Sequence, residues 1–196
     1  MSMGIVSDTH GNAVALVRAF NPTTDADMTA CLDDAIKQYK FSNRVVSMLM
    51  ERRAYAIVGS HEEAFFGRGG TGTRALGPMD RAALCWLRMR PDQLTKRLLG
   101  KVGLFVHSTP RTPTGAYVTL RKATFARFGN TGAGTVLYGH IYQPVATRFV
   151  STLDVNPGSV GEPDLEDASH NGAVLQLARE TVRRINSFCP GRPPRR

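Results

Sequence analysis

V-S-D-T-H-G-N, residues Val6 to Asn12, lies between two different apolar patterns. Before it, Met3–Val6 is a short unbroken apolar run of the kind that makes a buried strand. After it, Val14, Leu16, Val17 and Phe20 recur at helical spacing. The stretch therefore reads as a strand end, a tight turn bent at Gly11 and a helix start. Open α/β sheets gather ligands at the carboxyl ends of their strands. Asp8 and His10, two residues apart on that turn, offer a carboxylate and an imidazole of the kind that suit Mn2+, Fe or Zn2+. A single D-x-H arises often by chance, so its meaning depends on the rest of the chain.

The following elements answer it. Asn21–Asp27 is a turn-rich link, and Met28–Leu32 is a second strand that ends at Asp33-Asp34. Ser42–Arg53 has a helical pattern carrying Val45, Val46, Met48 and Leu49. Tyr55–Val58 is a third strand, closed by Gly59-Ser60-His61-Glu62. This alternation makes a largely parallel sheet. Three successive strands thus end in possible ligands: Asp8 with His10, then Asp34, then His61. Helices are expected over Pro78–Met89, with Trp86 and Leu87 inward, and over Ala116–Phe128. Lys101–His107 is a strand ending in histidine, Thr135–Tyr138 one ending at Gly139-His140, and Ser151–Val155 one running into N-P-G-S-V-G, Asn156–Gly161. Ala173–Leu177 and Thr181–Asn186 read as a closing hairpin. Of the five histidines, all but His170 stand at strand ends, a placement that ordinary core or surface histidines have no reason to share. An α/β first half and a β-rich second half point to two sheets packed face to face with helices outside.

Gly67–Gly77 contains a formal G-x-G-x-x-G, Gly67 to Gly72. No apolar strand leads into it and no helix opens at its last glycine, which argues against a dinucleotide site. It reads either as a loop over the site, where Arg68 and Arg74 could meet an anionic substrate, or as an exposed linker.

The composition, 196 residues with 42% hydrophobic and 21% charged, is that of one ordinary globular domain with a proper core. No apolar run approaches the roughly 18–20 residues of a membrane helix, and residues 1–20 show no secretory pattern. Cys31, Cys85 and Cys189 are far apart, which argues against a disulfide framework and fits a reducing, cytoplasmic setting. The net charge is +9, and Arg179–Arg196 carries six arginines against one acid, Glu180. Pro190, Pro193 and Pro194 forbid regular structure there. The chain divides into one domain over 1–188 and a basic Pro/Arg-rich tail over 189–196. That tail reads first as a solvated segment, with nucleic acid or an anionic surface as a less favoured partner.

Taken in order, D-x-H-G-N, D-D, G-S-H-E, a strand ending H-S, G-H-x-x and N-P-G-S-V-G resemble the calcineurin-like metallophosphoesterases, and most nearly their small bacterial phosphodiesterase branch. The match runs from about Met3 to about Phe188. The resemblance implies an α/β fold: a four-layer αββα sandwich of two mixed β-sheets flanked by helices. It also implies a centre of two divalent metal ions, Mn2+, Fe, Ni2+ or Zn2+, and a phosphate-ester substrate. Carried over residue by residue, Asp8 and His10 would hold the first metal and Asp34 would bridge both. His107 and His140 would hold the second, with Ser60 at the position of an asparagine ligand. His61 would contact the phosphate or protonate the leaving group, so His61 and Asp34 are the expected catalytic residues.

The chain departs from that pattern at Asp33 (usually glycine), at Ser60 (usually asparagine), at Tyr142 (usually the last histidine ligand) and, more mildly, at Ser108 (often glycine). A charge or strain is expected at Asp33, a weaker ligand at Ser60, and a phenol in place of an imidazole at Tyr142. Each metal keeps three protein ligands, the count of many catalytic zinc sites. Two functions from different classes stand. One is a two-metal hydrolase of phosphodiesters or phosphomonoesters. The other is a weakened phosphoesterase scaffold that binds proteins, as in a retromer subunit that resembles this fold. A homo-oligomer is compatible with either, and a membrane partner with neither.

Overall fold

Strand β1 (Ser2–Val6) lies at the middle of a five-stranded sheet and meets partners from both ends of the chain. In the computed structural model, which describes residues 1–37, 42–68, 79–115, 131–162 and 169–188, that sheet has the order β10-β9-β1-β2-β3. β2 is Met28–Cys31 and β3 is Tyr55–Ala56, both parallel to β1. β9 (Ser169–Gln176) and β10 (Thr181–Phe188) form an antiparallel hairpin that pairs on the other side of β1, with Met3 opposite Leu175. The second sheet has the order β4-β5-β6-β8-β7. Its parallel centre is β5 (Lys101–Val106), β6 (Thr135–Tyr138) and β8 (Thr152–Asn156), and its antiparallel edges are β4 (Gln93–Leu98) and β7 (Val145–Phe149). Two mixed sheets with flanking helices are the architecture expected from the motif order.

Alternation on each strand builds the layers. Met3, Ile5, Ala30 and Leu32 of the first sheet meet Phe105, Leu137, Leu153 and Val155 of the second in one buried cluster between the sheets. Val6 and Cys31 face the other way, onto α1 (Ala13–Phe20), α2 (Asn43–Glu51) and α4 (Arg81–Arg88). A further apolar cluster, with Leu104, Val106, Val136 and Tyr138, lies on the outer face of the second sheet. The segment expected as helix Ala116–Phe128 lies outside the described residues, as do Gly69–Gly77 and the tail from 189 onward.

Several local expectations change. The buried stripe of α1 is Ala15, Leu16, Ala19 and Phe20, while Val14 and Val17 point outward. Trp86 is only half-buried, with Leu87 taking the core position. His61, expected at the close of the third strand, stands in the first turn of a short helix, α3 (Ser60–Phe66). The strands β4 and β7 were not expected. Both are sheet edges and carry charged side chains, Lys96 and Arg97 on β4 and Arg148 on β7, as edge strands often do. No helix among the described residues is long and apolar enough to cross a membrane.

Candidate metal centre

The carboxyl ends of β1, β2 and β5 and of β6 converge, so the site is assembled from both sheets. The turn after β1 is laced to the turn after β2 by Asp8 N donating to Asp33 O at 2.7 Å, His10 N to Asp34 O at 2.9 Å and Gly11 N to Ala35 O at 2.8 Å. N-P-G-S-V-G clamps the same turn from its other side. Val160 N donates to Ser7 O at 3.0 Å, Gly161 N to Asp8 O at 2.8 Å and Ser159 Oγ to Asp8 O at 3.1 Å. Asp8, His10, Asp34 and His140 all hold left-handed backbones, with φ of 52, 49, 59 and 67°. For non-glycine residues that costs about 1 kcal/mol or more each, and it is a recurrent mark of functional sites.

The side chains fall into two overlapping donor groups. His10, Asp34 and His61 form one, and Asp34, His107 and His140 the other, with the ligand atoms of each within 4.8 Å of one another. His107 Nε2 is 3.2 Å from Asp34 Oδ2 and 3.0 Å from His140 Nδ1. Its Nδ1 lies 2.7 Å from Leu32 O, a backbone acceptor that fixes the ring. Asp8 Oδ2 accepts from Ser7 Oγ at 2.6 Å and from His140 N at 3.1 Å, leaving the buried Oδ1 with no hydrogen-bond partner and 3.9 Å from His10 Nε2. His61 Nε2 is 3.9 Å from Asp34 Oδ2, and its ring meets that of His10 edge-on at 4.9 Å. An unpartnered buried carboxylate oxygen beside clustered imidazoles and a shared carboxylate fits a divalent cation with N/O ligands. Of the expected ligands, His10, Asp34, His107 and His140 fall in these groups; His61 rather than Asp8 completes the first, and Asp8 stands beside it with Oδ1 3.9 Å from His10 Nε2. The Ser60 hydroxyl donates instead to Asp34, at 3.0 Å to Oδ2 and 3.4 Å to Oδ1.

Charges are tuned accordingly. Burial works to raise the Asp34 carboxyl, but the His107 charge and hydrogen bond outweigh it and hold it well below the usual range. Burial likewise works to lower His107, yet Asp34 beside it lifts the imidazole to about 10. Burial pushes Asp8 up to about 7 and brings His10 and His140 down to about 4, so both those imidazoles are neutral and ready to bind metal. Asp33 adds no left-handed strain. Burial lifts its carboxyl, which accepts from Cys31 Sγ at 3.4 Å, to about 8. Ser108 is accommodated by its backbone, which donates to Pro113 O at 2.6 Å.

These shifts make a sign-definite pH prediction. The His107–Asp34 attraction stabilises the metal-free fold fully below about pH 6.5 and is lost as pH rises through about 10. Buried Asp8 and Asp33, with raised values, act in the same direction up to about 7 and 8. His10 and His140, lowered, act oppositely but only below about 6.5. Chelator-treated protein should therefore melt about 5 °C or more lower at pH 9 than at pH 7. Added Mn2+ should reduce the difference, because cations replace the protons. A flat melting profile over that range contradicts the assigned charges.

The sequence pattern did not single out Glu62 as a positioning residue. It is fully buried, and its carboxylate accepts from Asp34 N and Gly59 N at 3.1 Å each and from Ile36 N at 2.9 Å. It thereby joins the turn after β2 to the turn after β3. Gly59 is required beside it, since a Cβ there would lie 2.2 Å from Asp34 Oδ1 and 2.4 Å from Asp34 N. Glu62→Gln turns an N–H group toward N–H donors and should destabilise the protein by about 1–3 kcal/mol, with metal affinity falling about 10–100-fold. Isothermal titration of Mn2+ with unfolding curves on the same variant checks both. His170 stays outside the site, its Nδ1 2.7 Å from Val160 O, where it supports the clamp.

The calcineurin-like phosphoesterase superfamily domain matches residues 1–180. The chain belongs to that superfamily. Among solved structures, it resembles a metallophosphoesterase from Sphaerobacter thermophilus, at 20% identity over 95% of this chain and 88% of that one, TM-score 0.82. It also resembles a novel archaeal phosphodiesterase, at 17% identity over 95% and 100%, TM-score 0.63. A third is Vps29 complexed with zinc from Entamoeba histolytica, at 12% identity over 95% and 98%, TM-score 0.58. No protein of curated function matches. At these identities the likeness is one of calcineurin-like fold, and the assignment of roles rests on the residues themselves.

Proposed function

We propose that this calcineurin-like chain hydrolyses phosphate esters, with a phosphodiester or nucleotide as the favoured substrate class. The observation that carries the reading is Asp34, a low-pKa carboxylate shared by two donor groups with His61 beside it. Asp8, His10 and Asp34 would hold one divalent ion and Asp34, His107 and His140 another, and such a pair, when bound, lowers the pKa of a water and neutralises phosphate charge. The chain's own contribution is orientation. Leu32 O fixes His107, Ser7 and the His140 amide fix Asp8, and Ser60 with the His61 amide fix Asp34. His61, whose side chain is 29% exposed, stands at the open side and can pass a proton to the leaving oxygen. Such general-acid help is worth about 10²–10⁴-fold.

A second reading, a protein-binding scaffold, is favoured by Ser60 and Tyr142. The Ser60 hydroxyl is engaged by Asp34, and the Tyr142 hydroxyl stands 2.9 Å from His10 Nε2 where a histidine ligand is usual. Elemental analysis after Mn2+ reconstitution, with hydrolysis of an aryl phosphodiester on the same sample, separates the two. Two ions per chain with turnover are expected. Absence of both would leave the scaffold reading.

A further inference from the structure

We infer that the trough between α1 and α2 is a docking groove for an acidic amphipathic helix of a partner protein. The inference is independent of the metal centre and of whether the chain hydrolyses phosphate esters. Two adjoining hollows make the trough. One, of about 330 Å3, is lined by Val17, Phe20 and Met48 together with Arg44, Glu51 and Arg52. The other, of about 340 Å3, is lined by Ala13, Val14 and Val17 with Arg18 and Arg44. Val17 and Arg44 belong to both, so the hollows are continuous.

The apolar part of this lining is unspent. Val14 and Val17 fit the apolar pattern of the sequence, yet they are 65% and 39% exposed, because α1 turns Ala15, Leu16, Ala19 and Phe20 to the core. Single exposed apolar side chains are ordinary. These two are one turn apart on one helix and line the same trough, with half-buried Met48 of α2 also in its wall. The charged part has a sign. Arg18, Arg44 and Arg52 stand against one acid, Glu51. Arg44 is exposed. Arg52 is fixed with its guanidinium 4.5 Å over the Phe20 ring, donating to Thr23 O at 3.3 Å and Phe20 O at 3.4 Å, neutral acceptors that leave its charge uncancelled.

That lining selects the occupant. An excess of cations favours an acidic partner. The Arg-rich tail of the chain itself has the wrong sign. A second copy in a two-fold contact would set these arginines against their own equivalents, between chains of net charge +9 each. Nucleic acid would satisfy the arginines and leave the valines facing phosphate. Two hollows with a shared wall suit two large apolar side chains about 6 Å apart, the i and i+4 anchors of a helix laid in a groove.

The test is an NMR titration of the full chain, reading methyl signals. The probe is a synthetic helical peptide of Glu, Ala and Leu, about four turns long, with leucines one turn apart. A matched peptide carries Lys in place of Glu. The Glu peptide should shift the Val14, Val17 and Met48 methyls and bind about tenfold or more tightly than the Lys peptide. Arg44→Glu should narrow or reverse that preference. Val14→Asp, at an exposed position, should weaken the Glu peptide by about tenfold, whereas Val150→Asp, at a site 81% exposed on the other sheet, should change nothing. Absence of shifts at these methyls with millimolar Glu peptide overturns the inference, as does equal affinity for the two peptides. A single-stranded oligonucleotide that shifts the same methyls at lower concentration than the Glu peptide overturns it in favour of nucleic acid. Self-association of the free chain that is abolished by Val14→Asp overturns it in favour of a second copy.

Discussion

Asp34→Asn is expected to bring phosphodiester hydrolysis to background, a loss of more than about 10³-fold, and to release at least one ion per chain. Its two oxygens already accept from Ser60, the His61 amide and His107, and it is the one residue common to both donor groups. An amide supplies a single oxygen and no charge, so it cannot serve two cations. The fold should survive, since the asparagine oxygen can still accept from His61 N. The same change removes the largest influence raising His107, so that imidazole should lose its proton at lower pH, which a histidine NMR titration would read. Full metal content and activity in Asp34→Asn would mean that the centre is elsewhere.

The largest effect on stability is expected at Gly161, the last residue of N-P-G-S-V-G. A Cβ there would lie 2.0 Å from Thr9 O and 2.4 Å from Thr9 C. Those are backbone atoms of the turn that carries Asp8 and His10, and that turn is fixed on its other side by Asp33, Asp34 and Ala35. No flexible side chain can yield. Gly161→Ala should cost about 3 kcal/mol or more, lower the melting temperature by about 10 °C and weaken metal binding with it. Gly115→Ala, where a Cβ meets nothing within 4 Å, is the matched control. Equal melting of the two variants would show that the clamp does not restrain the turn.

What could be read from the sequence was whatever depends on local pattern. Strand ends punctuated by Asp8-Thr9-His10, Asp34, His107 and His140 declare themselves because a polar residue interrupts an apolar run at each. The two edge strands did not: their burial alternates, but polar or small residues fill half-buried positions, as Lys96 does on β4 with its ammonium over the Tyr55 ring. The one local clue to β4 is Leu99-Gly100, at φ 47 and 86°, the two-residue turn that joins it to β5. Glu62 was visible only as the acid of a motif. Its role depends on backbone amides 26 and 28 residues earlier, a relation that no periodicity records. Tyr142 was legible as a departure, but its proximity to His10 across 132 residues belongs to the fold.

The pairing of β1 with β9 imposes an order on how this protein comes into being. Every proposed ligand, from Asp8 to His140, is synthesised before residue 145, yet the loop that grips the first of them and the strand that closes the edge of β1 come after it. A nascent chain holding all the ligands therefore holds no finished centre. β1 must wait with an open edge until Ser169–Gln176 arrives, the kind of sequence-distant contact that slows folding. On the proposed two-metal reading, capture of the ions comes late, and a fragment ending at residue 144 should bind none despite containing every group that would ligate them.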